Sequence, residues 1–208
     1  SVNTLRICEL AGQPETRVYA GCARPMVRDL VTAQNVHGHS GLDLPGGVTL
    51  PNPTMKLQPE HAVTFIIETL LSKPPGSVTL CTLGPLTNVA MALVQAPAII
   101  SRIQEIVFMG GAAITPGNVT PAAEFNIYCD PASARTVFRA PVAKTLVPLD
   151  VTCQVVFSID LLNQLPPESS RAGWLLTRIL PQLFRSYHQV LGQERINLHD
   201  AVALLAVS

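Results

Sequence analysis

Short apolar runs alternate along this chain with stretches whose apolar side chains return every three or four positions. The opening SVNTLRICELAG places Val2, Leu5, Cys8 and Leu10 at helical spacing and stops at Gly12. A brief apolar run, VYAGC, follows at 18–22, and residues 37–59 are rich in Gly and Pro and read as a long loop. Residues 59–73 predict a helix with Pro59 in its first turn, and Ala62, Phe65, Ile66, Thr69 and Leu70 share one face. SVTLCTLG (77–84), QEIVFMGG (104–111) and AKTLVPLD (143–150) read as strands. The first of them alternates so little that it predicts burial on both faces, as in a parallel sheet. Between and after them lie helical patterns at 86–96, just past Pro85, and at 133–139, behind Asp130 and Pro131. A long helical stretch spans 173–191, where Pro181 is expected to interrupt or kink it, and NLHDAVALLAVS begins a final helix.

Strands that alternate with helices predict an α/β fold: a three-layer sandwich around a mostly parallel, doubly wound sheet. In such sheets the ligand site lies beyond the carboxyl ends of the strands. Three strand ends therefore draw attention: Leu83 with Gly84, Met109 with Gly110 and Gly111, and Leu149 with Asp150. Composition narrows the picture further. Hydrophobic residues make up 48% and charged residues 13%, which excludes general disorder. Fourteen basic and fourteen acidic side chains cancel without a basic cluster, so no nucleic-acid surface is expected. Five scattered cysteines form no C-x-x-C pair and fit reduced thiols. No run approaches the ~18 apolar residues that span a bilayer, and the first residues lack a signal-peptide pattern. The expectation is a cytoplasmic protein with no membrane partner.

Four pieces could carry chemistry, each with a plainer alternative. TLGPLTN breaks a strand sharply and starts a helix, which is either an ordinary turn or a helix N-terminus facing a ligand. AAEFN, read as extended, points Glu124 and Asn126 to one side and Phe125 to the other. A carboxylate beside a carboxamide suits the hydroxyls of a sugar, although capping groups of a loop would look the same. In LHD, Asp200 is either an N-cap or a ligand for a hard cation, and His199 is either a bland histidine or a proton carrier. VHGHSGL holds His37 and His39 on a loop, without the further ligands a metal site needs. Asp150, at the end of the third strand, could also reach the crevice but is expected to be structural.

Taken in order, HG-x-SGL, LGPLTN, MGG with GN-x-TP-x-AEFN-x-Y-x-DP, and HD-x-x-A resemble the inosine-uridine preferring nucleoside hydrolase family along residues 1–208. The resemblance implies hydrolysis of the N-glycosidic bond of purine or pyrimidine ribonucleosides to base and ribose, a bound Ca2+, and a homodimer or homotetramer. It implies that Leu83, through its carbonyl, and Asp200 hold the metal. Asn118, Glu124 and Asn126 would hold ribose hydroxyls, Met109 and Phe125 would line the sugar pocket, and His37 would sit near its mouth. His199 would lie beside the leaving base as an acid, with Asp200 as its catalytic neighbour.

The sequence departs from the family at its beginning, where an Asp-rich signature of the form D-x-D-x-x-x-D-D supplies most metal ligands. SVNTLRICELAG instead matches the helix after that region, and the chain stops soon after HD-x-x-A. The expectation is therefore one nucleoside hydrolase-like domain over 1–208, incomplete at both ends, with a partial calcium site and little activity on its own. The alternative is an inactive relative that binds ribose or nucleoside, or serves as an interaction subunit.

Overall fold

The structure is a computed structural model and describes residues 1–34, 38, 41, 42, 44 and 50–207. Its described elements run α1 (Val2–Leu10), β1 (Tyr19–Ala20), β2 (Gln58–His61), α2 (Ala62–Ser72), β3 (Val78–Thr82), α3 (Thr87–Gln95), β4 (Ile103–Met109), α4 (Phe125–Cys129), α5 (Pro131–Arg139), β5 (Lys144–Val147), α6 (Leu149–Thr152), β6 (Val156–Phe157), α7 (Arg171–Leu191), β7 (Ile196–Asn197) and α8 (His199–Leu205). Short 3-10 turns at Pro97–Arg102 and Ile159–Gln164 complete the series. Two compact units gather these elements. One comprises Ser1–Ala20, Thr32–Pro59 and Val156–Asn197; the other comprises Gly21–Val31, Glu60–Val155 and Leu198–Ser208.

In the first unit α1 packs against α7. The Glu9 carboxylate ties α1 to the following loop by accepting from the Thr54 hydroxyl and the Met55 amide. Helix α7 runs through Pro181 without interruption and ends at Gly192, whose φ of 65° turns the chain out of the helix. Pro181 therefore does not interrupt the helix. β6 and β7 pair antiparallel.

The second unit holds the parallel sheet, in the order β3-β4-β5. β4 is central, and its alternation explains the layers. Ile106 and Phe108 face a core built with Leu70 of α2, Val89, Ala90 and Leu93 of α3, and Ala134 and Val137 of α5. Val107 and Met109 face the opposite side, where Val147, Leu149 and Ala203 of α8 cover them. Helices on both faces make this the expected three-layer α/β arrangement with parallel strands. β3 corrects one expectation: it is half-buried throughout, because it lies at the edge of the sheet and pairs with β4 alone among the described residues.

Boundaries moved where capping overrode periodicity. Pro59 lies in β2, not in a helix, and α2 starts behind His61, whose Nδ1 accepts from the Val63 amide at 3.2 Å. The strand expected to reach Asp150 ends at Val147, since Pro148 starts α6. Asp130 does what Asp-Pro predicts and caps α5. Its buried carboxylate accepts from Ser133 N, Thr87 Oγ1 and Met26 N, which ties α3, α5 and residues 21–31 together. Burial pushes this carboxyl up, but the bonds from Thr87, Ser133 and Met26 outweigh it, and the net shift is downward.

Candidate functional site

The second unit contains every described residue expected to bind metal or substrate or to act in catalysis, grouped at the carboxyl end of the sheet. β4 delivers Met109 and then Gly110 and Gly111. Gly111 has φ +81°, a backbone that side-chain-bearing residues rarely adopt. A Cβ on Gly110 would stand 3.2 Å from Glu124 Oε2, so glycine lets that carboxylate come close.

Glu124 is the N-cap of α4. Its carboxylate is buried and accepts three backbone N–H groups: Gly111 at 2.8 Å, Asn126 at 2.8 Å and Ile127 at 3.1 Å. EFN is therefore not extended throughout, the case in which its side chains would alternate; the helix begins at Phe125 because Glu124 caps it. Glu124 and Asn126 nevertheless turn to the same place. Asn126 Nδ2 donates to the Met109 carbonyl at 3.1 Å and lies 3.4 Å from its sulfur, while Phe125 is half-buried. Asn118, on the preceding loop, is exposed and accepts from the Phe125 amide at 2.9 Å. A Cβ on Gly117 would fall 2.2 Å from the Ala123 carbonyl oxygen, so the loop that presents Asn118 closes only around glycine.

Helix α8 brings the other half. It packs on β4, with Val202 and Ala203 against the cluster that includes Met109. His199 opens the helix, and its Nδ1 lies 2.7 Å from Thr152 Oγ1. Burial holds this imidazole below its ordinary pKa, and the Glu124 carboxylate pulls it the other way, so the two groups share one electrostatic environment. Asp200 is not the N-cap of α8; Leu198 occupies that position, without a side-chain cap bond, and Asp200 stands exposed in the first turn. Its charge, together with burial, raises the Cys81 thiol, which puts Asp200 within electrical reach of the end of β3. Leu83 follows that strand and is 38% exposed. Met109, Glu124, Asn126 and His199 are thus brought together, with Asn118 and Phe125 tied in through α4, and with the charge of Asp200 felt at Cys81 in β3. His37 and His39 lie outside the described residues.

A hard cation takes six to eight oxygens. The Asp200 carboxylate and the Leu83 carbonyl are donors of the right kind. No group of three or more His, Cys, Asp or Glu side chains able to hold a metal occurs among the described residues. Two such oxygens fall well short of that number. No described helix is long and apolar enough to cross a membrane.

Thr152 was not singled out from the sequence, and the partners of Asp150 were not foreseen. Thr152 is completely buried against His199, and Asp150 organises the loop that leaves β4 by accepting from Ala113 N, Ile114 N and Thr115 N. Asp150 is thereby structural, as expected. Thr152 had one available signal: it is a polar residue one helical turn past the end of a parallel strand.

The model of the inosine-uridine preferring nucleoside hydrolase family matches residues 1–208. The chain belongs to this family. Among nucleoside hydrolase relatives, the pyrimidine-specific ribonucleoside hydrolase RihB of Escherichia coli is 38% identical over 203 residues, covering 98% of this chain and 63% of its own length. An uncharacterised protein of Schizosaccharomyces pombe is 45% identical over 199 residues, covering 95% of this chain and 63% of its own length. The purine-preferring ribonucleoside hydrolase from Gardnerella vaginalis has the same fold, with a TM-score of 0.90 and 32% identity over 99% of this chain and 65% of that one. The chain thus spans 63% of the length of these two sequence relatives.

Proposed function

We propose that the protein is a ribonucleoside N-ribohydrolase, which splits purine or pyrimidine ribonucleosides with water into free base and ribose. The family match over residues 1–208 carries this reading. The grouping of Glu124, Asn126, Met109 and His199 at one strand end supports it. The relatives' names include both a pyrimidine-specific and a purine-preferring enzyme, so the base is left open.

In the reaction the N-glycosidic bond breaks with its electron pair going to the base. The water oxygen adds to the anomeric carbon, and one water proton is in effect returned to the base. The sugar passes through an oxocarbenium-like state. Asn118 and Asn126 orient the ribose hydroxyls. Asn118 Oδ1 is occupied by Phe125 N, which leaves its amide N–H groups to donate. Asn126 Nδ2 is occupied by Met109, which leaves Oδ1 to accept. Glu124 uses three of the roughly four lone-pair sites of a carboxylate on backbone amides and keeps one for a hydroxyl. Its negative charge, and that of Asp200, favours the cationic transition state. Met109 and Phe125 wall the sugar. His199 gives a proton to the departing base, a contribution of about 10² to 10⁴ in rate.

Ca2+ would polarise water and hold the ribose diol when bound. Leu83 O and Asp200 would supply two of its oxygens, and no step above passes through it. We place the protein in the cytoplasm, on its five free thiols, as a homodimer or homotetramer. The test is ribose release from inosine and from uridine, with added Ca2+ and after chelation, by the protein at its relatives' full length. Stoichiometric ribose and base are expected. Ribose binding by calorimetry without any turnover overturns the hydrolase assignment in favour of a nucleoside-binding relative.

A further inference from the structure

We propose that Thr152 is a positioning residue for His199: its hydroxyl donates to Nδ1 of the imidazole and thereby holds the ring in the tautomer that carries its proton on Nε2. The proposal rests on the hydrolase reading of His199 but not on turnover for its test.

The geometry is specific. Thr152 ends α6, the short helix that follows β5, and its side chain is completely buried. His199 is the first residue of α8, whose Val202 and Ala203 pack beside Leu149 of α6. The Oγ1 to Nδ1 distance of 2.7 Å is that of a full hydrogen bond. A neutral imidazole has one donor nitrogen and one acceptor nitrogen, and the partner of one decides the role of the other. With Nδ1 engaged by Thr152, Nε2 is the nitrogen left for a ligand.

The direction of the bond follows from acceptor strength. The Thr152 hydroxyl has one proton, and the Cys153 thiol is also its hydrogen-bonding neighbour. Of these two neighbours sulfur is the weaker acceptor and imidazole nitrogen the stronger, which favours Nδ1 over the thiol for the Thr152 proton. Nε2 then bears hydrogen and can donate to the departing base as the glycosidic bond breaks. The opposite tautomer would present a lone pair there and could donate nothing. Thr152 itself transfers no proton. It fixes the ring, as the outer partners of functional histidines do elsewhere.

The test uses protein labelled with 15N in histidine, compared as wild type, Thr152→Val and Thr152→Ser, at one pH well above the ordinary imidazole pKa of about 6.5. The expected wild-type spectrum gives His199 a pyridine-like Nδ1 and a protonated Nε2. Thr152→Val, which keeps the shape and removes the hydroxyl, should shift the ring to mixed tautomers. Thr152→Ser should restore the wild-type pattern. In parallel, Thr152→Val should lower kcat by about 10-fold or more with little change in KM, and Thr152→Ser should recover most of it. A wild-type ring protonated on Nδ1 overturns the proposal, and so does a Thr152→Val ring with unchanged tautomer. The wild-type spectrum requires no variant to fold. If the expected tautomers appear and no ribose is released by any form, the hydrolase reading fails while the role of Thr152 stands.

Discussion

Two carboxylates hold the loop that leaves β4, and each does so by accepting three backbone N–H groups. Glu124 takes those of Gly111, Asn126 and Ile127; Asp150 takes those of Ala113, Ile114 and Thr115. By hydrogen-bond count they are equivalent. Their surroundings separate them. Glu124 is buried beside the Met109–Asn126 contact, and its charge is felt by His199. Asp150 is only partly covered, and its hydrogen bonds are spent on three consecutive amides of an exposed turn. A satisfied carboxylate is therefore not by itself a sign of function or of scaffold. What distinguishes the two is which other polar groups share the same space.

The largest effect that would break this comparison is at Glu124. Glu124→Gln keeps the size but replaces one acceptor oxygen with a donor, which must face a backbone N–H. A stranded buried donor costs roughly 1–3 kcal/mol. The loss of negative charge beside the sugar should lower kcat by about 10² to 10³. Asp150→Asn, assayed in parallel, should change kcat severalfold at most. If the two variants lose activity equally, both carboxylates act through the shape of the loop, and the distinction drawn here is wrong. Ribose release and denaturant midpoints measure both quantities.

The sheet itself was legible. QEIVFM has no polar alternation because Ile106 and Phe108 face one helical layer while Val107 and Met109 face the other. Asp130-Pro131 announced the start of α5 through a side-chain cap and a proline at the first position. Glu124 did not announce α4 in the same way. Glu is not among the usual N-cap residues, so the local pattern favoured an extended EFN, and only the distant Gly111 amide reveals why a longer carboxylate suits this cap. Thr152 was hidden for a related reason. Its partner lies 47 positions away, and Val-Thr after a strand reads locally as more strand. The gathering of the chain into two discontinuous units likewise depends on contacts that spacing does not encode.

A smaller effect, confined to the Glu124 end of the loop, is expected at Gly117. Any Cβ there meets backbone atoms of Ala123 and Thr120 at 2.2 to 2.4 Å, and backbone cannot step aside as a flexible side chain can. Gly117→Ala should cost about 1–3 kcal/mol, the range for forced overpacking. It should also weaken the bond from Phe125 N to Asn118 Oδ1 and so raise KM for the nucleoside more than it lowers kcat. The amides held by Asp150 should keep their exchange protection. A variant as stable as the wild type, with unchanged KM, would show that residues 117–123 adopt another closure in solution.

The smallest effect isolates Asp150. Hydrogen bonds from Ala113, Thr115 and Ile114 hold its carboxyl down at about 2, against an ordinary value of 3.8. A depressed folded-state pKa means that the unfolded group binds a proton first as the pH falls. The stabilisation is complete above the ordinary value and is lost between about pH 4 and about pH 2. As the folded carboxyl takes its proton around pH 2, the amides of Ala113, Ile114 and Thr115 should lose protection and shift together, because they share one acceptor. Asp150→Asn should show the same local change already at neutral pH, with β4 and α4 unaffected. The group is too open to water for the change to move global stability much. Amides 113–115 that show no titration step around pH 2 in the wild type would mean that the turn is held by its own backbone. Asp150 would then be a passenger in this loop, and Glu124 alone would organise it.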